Sequence, residues 1–239
     1  MNEHLWLTET DPLVLLNDLY PLSTLDSGQP QTRACRLYLL ACARRQWDRL
    51  PGVCRVLVEL GEQYVEAPRE RVKLWTVGGR IAEELLHSDV VPGDHQAAID
   101  RLTDADLLLS SAARLGPPHP PLTPSAWRKL AALVYLPFVP NTPPFTWVPA
   151  ELHDAGLLRE IYYNPYRRVP FDPAWRTADV LSLARQMYDS RGFGTMPILA
   201  DALQDAGCDN EDILSHCRNA PANTHVRGCW VLDRVLNRG

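Results

Sequence analysis

The stretch Ala34-Cys35-Arg36-Leu37-Tyr38-Leu39-Leu40-Ala41-Cys42-Ala43 is apolar at every position except Arg36. A helix on a protein surface shows one apolar stripe, so a run that is apolar on all sides describes a helix packed on several faces. This helix is the expected centre of an N-terminal core, and the helical period dominates the sequence on both sides of it. Upstream, Thr10-Asp11-Pro12 offers a capping side chain followed by proline at a first turn, leading into Leu13, Leu16 and Leu19. Downstream, Val53, Val56, Leu57, Leu60 and Tyr64 repeat the pattern from Pro51 to Tyr64. Further amphipathic runs follow from Pro68, weakened at Gly78-Gly79, and from Pro92 to Leu115.

Between Gly116 and Pro149 the composition changes, since ten of the chain's 21 prolines fall there. Proline lacks the amide donor and clashes with the preceding turn, so the segment reads as an extended connector with one short helix at 125–136. Four more helical patterns follow: 150–163, 177–190, 196–206, and 211–218 with 226–236. Gly207 stands at a helix C-terminus, and Asn210-Glu211-Asp212 places acids at a helix start. The predicted fold is all-α, a helical bundle or helical-hairpin array in two subdomains, 1–115 and 150–239, joined by the proline-rich segment 116–149.

The chain has 239 residues, with 24 basic residues against 29 acidic ones. Residues 1–32 hold Glu3, Glu9, Asp11, Asp18 and Asp26 and no basic residue, so the remaining 207 residues balance at 24 against 24. A polyanion-binding domain shows a basic excess, and its lack counts against a dedicated nucleic-acid binder. The acids of 1–32 are expected to face the arginines of 33–55. No apolar run approaches a membrane span, and the acidic start is unlike a signal peptide. Six cysteines in a chain this long read as small buried residues, and there is no N-x-S/T sequon. A cytoplasmic protein is expected.

Three segments resemble a family. Pro197-Ile-Leu-Ala-Asp-Ala-Leu-Gln-Asp-Ala-Gly-Cys208, Ile213-Leu-Ser-His-Cys-Arg218 and His225-Val-Arg-Gly-Cys-Trp-Val-Leu-Asp233 together form a block that is similar to one in uncharacterised proteins of planctomycete-type bacteria. Arg36 to Trp47 and Leu158 to Arg167 resemble that family's N-terminal and middle segments. The resemblance implies a folded class and no activity.

Cys208, His216, Cys217, His225 and Cys229 form the densest chemical constellation. Zinc takes about four N or S ligands, and His225 with Cys229 at i, i+4 would share a helix face. Paired short C-x-x-C spacings are missing, and neighbours such as His216 and Cys217 diverge by roughly 100° on a helix. Core packing of Cys208, Cys217 and Cys229, with His225 near a helix N-terminus, is therefore favoured over a metal; the weak ligand set is Cys208, Cys217, His225 and Cys229. Arg33, Arg36, Arg44, Arg45, Arg49 and Arg55, beside Tyr38 and Trp47, could grip phosphate and bases, but they scatter around their helices. Tyr166, Arg167, Arg168, Phe171 and Trp175, on a segment stiffened by prolines, have the aromatic and arginine character of interface hot spots. They suit equally an ordered loop that buries its rings. The P-x-x-P spacings at Pro118/Pro121, Pro121/Pro124 and Pro137/Pro140 read as a spacer first.

Gly192-Phe193-Gly194 lacks the third glycine and preceding strand of a dinucleotide loop. P-loop, metalloprotease, nucleophile-elbow and kinase strings are absent. The predicted function is a non-catalytic protein-interaction or regulatory module with a protein partner and no cofactor. The alternatives are a metal-binding protein or enzyme using the C-terminal Cys/His group, and a nucleic-acid-associated factor using the arginines of 33–55.

Overall fold

Residues Leu37 to Ala43 are all buried in a helix that runs Arg33–Arg45 (α3), as a run without a polar face requires. A computed structural model describes residues 2–19, 33–50, 52–66, 152–219 and 224–238. The runs at 68–115, the connector 116–149 with its short helix, and the P-x-x-P spacings lie outside the described residues. Among the described residues every regular element is helical, nine α-helices and three short 3-10 segments, so the fold is all-α. No helix there is long and apolar enough to cross a membrane.

The chain divides into two compact units, one of Met1–Asp18 with Asp154–Gly239 and one of Leu19–His153. In the second, α3 packs against α4 (Gly52–Glu66). Arg44 donates from Nε and a terminal nitrogen to the two oxygens of Glu62, each at 2.9 Å. Its guanidinium lies 4.0 Å from the centroid of the Trp47 ring. Arg33 bonds Glu66 at 2.8 Å, and Arg36 lies over Tyr64. These acids belong to α4. The acids that meet Arg44 and Arg33 in this unit, Glu62 and Glu66, thus lie one helix downstream of them. In the first unit, Glu3 accepts from Asn164 and Asp18 from the Tyr166 hydroxyl.

The first unit begins with α1 (Glu3–Thr8), a helix the sequence reading lacks. Asn2 caps it by accepting from the Leu5 amide, and Trp6 is buried. Pro12–Leu19 (α2) follows, with Asp11 capping the Leu13 amide at 2.8 Å. The C-terminal part comprises α5 (Ala155–Tyr162), α6 (Ala178–Ser190), α7 (Met196–Asp205), α8 (Glu211–Asn219) and α9 (Trp230–Leu236). Asp154, Thr177 and Asn210 cap α5, α6 and α8 through their side-chain oxygens. Gly207 sits at φ +90°, a conformation open to glycine, and lets Cys208 N–H reach back to Leu203 O. Helices α6, α7, α8 and α9 close around Val180, Met187, Leu199, Leu203, Ile213 and Val235, each with no exposed surface. Burying each such side chain contributes about 1.5–3 kcal/mol, which offsets the ordering of helices too short to persist alone.

The last helix starts four residues later than the expected 226. Gly228 adopts φ +92° and Cys229 N–H bonds Val226 O, so 226–229 is a turn. His225 and Cys229 therefore do not share a helix face.

Candidate metal centre

Three segments of the first unit, α5, α8 and the turn before α9, bring four side chains together. Glu160 lies on α5, which is anchored by the Asp154 cap and by Arg159, whose Nε donates to Trp6 O at 2.8 Å. His216 lies on α8. His225 opens the turn before α9, and that turn is pinned by Arg227, which donates to Tyr188 O and Asp189 O at the end of α6. Cys229 is the residue preceding α9 and is fully buried.

The Glu160 carboxylate is the centre of the group. Its Oε1 lies 3.0 Å from His225 Nδ1 and its Oε2 3.4 Å from His216 Nε2. Cys229 Sγ lies 3.4 Å from His216 Nε2 and 4.0 Å from His225 Nδ1. One ligand atom from each of the four side chains lies within 4.8 Å of the other three. With zinc bonds of about 2.0–2.3 Å, the edges of a tetrahedron are about 3.3–3.6 Å. The observed separations, from 3.0 Å to at most 4.8 Å, straddle those edges, so one ion fits once the widest pair closes by about 1 Å.

Burial pushes the Glu160 carboxyl up, but hydrogen bonds from His216 and His225 and electrostatic attraction to them outweigh it and hold the carboxyl below its usual range. The group is a carboxylate at neutral pH. Burial raises the Cys229 thiol well above its ordinary value, helped by the adjacent Glu160 carboxylate. With both imidazoles neutral, the metal-free site holds one buried negative charge; a divalent ion that displaces the thiol proton makes it neutral, +2 against one carboxylate and one thiolate. Two imidazoles, a carboxylate and a thiolate form a borderline-soft set, suited to zinc and unsuited to magnesium or calcium, which take oxygen shells.

The four weak ligand candidates separate into two pairs. His225 and Cys229 converge, while Cys208 and Cys217 pack into the apolar core, their thiols pushed up by burial, Cys217 to about 12. The divergence of His216 and Cys217 around α8 is observed, and it is His216 that reaches the cluster. Glu160 was missed. Its signal was its register: with Leu157 and Ile161 it falls on the buried stripe of an amphipathic helix, where a carboxylate needs partners.

The 164–176 segment is ordered on its inner side. Phe171 and Trp175 pack on the core and meet edge to face at 5.3 Å. Arg176 donates to Val235 O and Arg234 O, the last carbonyls of α9. Arg167 pairs with Asp212 at 2.8 Å. Tyr166 is 41 % exposed with its hydroxyl on Asp18, and Arg168 is exposed. Gly192 to Gly194 forms a turn between α6 and α7, as its missing third glycine implies. Family models, curated proteins and solved structures give no match to the chain.

Proposed function

We propose that this protein binds one borderline-soft transition-metal ion, with zinc the best fit, through Glu160, His216, His225 and Cys229, and that it works as a non-catalytic helical module organised around that centre. The observation that carries the reading is the convergence of two imidazole nitrogens, a carboxylate and a thiol at separations near tetrahedral edges. Four protein ligands close a tetrahedral shell and leave no position for a substrate, which favours a structural or regulatory centre over a catalytic one. All four ligands lie in the segments that resemble the planctomycete-type proteins, Leu158–Arg167 and the C-terminal block. The six cysteines are free thiols, which supports the expected cytoplasmic setting.

Titration of the tag-free protein with zinc against a chelating indicator tests the reading, with cobalt as a spectroscopic substitute. One equivalent bound, with thiolate-to-cobalt charge transfer that Cys229→Ser abolishes, is the expected result. Less than a tenth of an equivalent of either metal overturns it.

A partner-binding role for the outer side of 164–176 is the second reading, favoured by the exposure of Tyr166 and Arg168 above anchored rings. Arg168→Glu should abolish capture of a protein partner without changing stability; unchanged capture removes the reading.

A further inference from the structure

Each histidine has a second ring nitrogen, and those two atoms say how the centre is controlled. A metal-bound imidazole ordinarily gives its other N–H to a carboxylate, a carbonyl or water. Here His216 Nδ1 faces a donor: the indole N–H of Trp230 points at it with Nε1 at 3.3 Å. His225 Nε2 is buried and has no hydrogen-bond partner. Neither histidine has the outer acceptor that would hold it in the metal-binding tautomer.

A neutral imidazole carries one lone-pair nitrogen and one N–H. When Trp230 donates to His216 Nδ1, the lone pair is used there and the proton sits on Nε2, aimed at Glu160 and Cys229. Binding a metal at Nε2 needs the lone pair on Nε2 and moves the proton to Nδ1, where it meets the indole N–H. Two donors at that distance repel, so the Trp230–His216 hydrogen bond and the metal exclude each other.

Resting on the metal-binding reading above, we infer that Trp230 is a positioning residue that holds His216 in the tautomer opposed to metal binding, making the centre a reversible, metal-responsive one with two alternative arrangements. In the metal-free arrangement Glu160 accepts from both histidines and from the Cys229 thiol, and Trp230 completes His216. In the metal-bound arrangement the ion replaces those donors and the indole N–H is released. Trp230 is placed to register the change, because its ring leans on Tyr163 at 4.2 Å and lies 5 % exposed at the head of α9.

Trp230→Phe keeps the packing and removes the indole donor. The variant should bind zinc about 3- to 10-fold more tightly than the wild type, the worth of one lost competing hydrogen bond. Damage to packing would lower the affinity, so the sign of the change separates the two roles. In a His216→Ala background the same substitution should leave the residual affinity unchanged. In the wild-type protein, the Trp230 indole N–H resonance should shift and exchange faster with solvent on adding zinc, a measurement that needs no variant. Equal or weaker zinc binding by a folded Trp230→Phe protein, or an indole resonance indifferent to zinc, overturns the inference and leaves the metal centre standing. Failure of the wild type to bind zinc or cobalt overturns both.

Discussion

Glu62 and Glu160 are each 3 % exposed, and the two units neutralise them in different ways. Glu62 receives a two-pronged arginine: both oxygens are met by Arg44, itself stacked on Trp47. The cation there is permanent, since a guanidinium does not lose its proton in a protein. Glu160 receives two imidazoles and a thiol, each of which can give up or move the proton that faces it. The first arrangement is complete and fixed; the second can exchange protons for an ion. Burial of a carboxylate therefore does not by itself mark a site. What marks it is a set of partners that are also metal ligands.

The largest expected effects fall on zinc binding. Removing a ligand with Glu160→Gln, His225→Ala or Cys229→Ser should weaken binding by roughly a thousandfold, beyond the tenfold to hundredfold of outer-shell changes. Arg44→Ala should leave zinc binding unchanged. Indicator competition on the four proteins checks both halves, and zinc binding that falls with Arg44→Ala would break the comparison.

Stability should respond the other way. Arg44→Ala leaves Glu62 buried without its guanidinium, a loss of about 3 kcal/mol, at the low end for a broken buried pair because the Arg44 side chain keeps 22 % of its exposure. Denaturant unfolding with and without chelator measures it. The loss should be the same in both conditions, whereas Cys229→Ser should matter most when zinc is present.

Proton competition sharpens the contrast further. The Cys229 thiol, pushed well above its ordinary value, is protonated throughout the neutral range, so each zinc bound expels one proton. Raising the pH by one unit lowers the competing proton tenfold, and the apparent zinc affinity should rise about tenfold per unit between pH 6.5 and 8. Without zinc the dependence reverses its cause. Glu160 is held below its usual value, so its contribution to stability is fully present above an unfolded-state value of about 4.3 and is lost as the pH falls through the lower folded value. Metal titrations at four pH values and acid unfolding in chelator read the two separately.

Local patterns carried most of the architecture. The boundaries of α3, α4, α6, α7 and α8 lie within two residues of those read from apolar spacing, caps and Gly207. The misses are long-range. Helix α1 is six residues and marginal by itself; it is held by buried Trp6 and by Arg159, 153 positions away. The start of α9 was misplaced because Gly228 turns the chain at a positive φ, which no apolar period reports. At the site, His225 and Cys229 stood out because cysteine and histidine are rare and close together. Glu160 did not, being 65 residues from His225 and one of 29 acids. Only its place on the apolar stripe of α5 distinguishes it, and that placement becomes informative once α5 is known to be buried against α9.

The smallest effects belong to the cysteines that sequence spacing could not sort. Cys54, in α4, and Cys217, in α8, are both fully buried. Each thiol is pushed up by burial, with Glu160 adding to the effect at Cys217. A small apolar group serves either position, so Cys54→Ala and Cys217→Ala should each cost about 1 kcal/mol, the loss of one buried atom and the void it leaves. The informative one is Cys217→Ala, because Cys217 neighbours His216 in sequence and lies close enough to Cys229 to raise its thiol. Its side chain leaves α8 on the core side, roughly 100° from His216. Zinc stoichiometry and the cobalt charge-transfer band should be unchanged in this variant. A lost band would move Cys217 from the core into the ligand shell and erase the line between packing thiols and the Glu160 cluster.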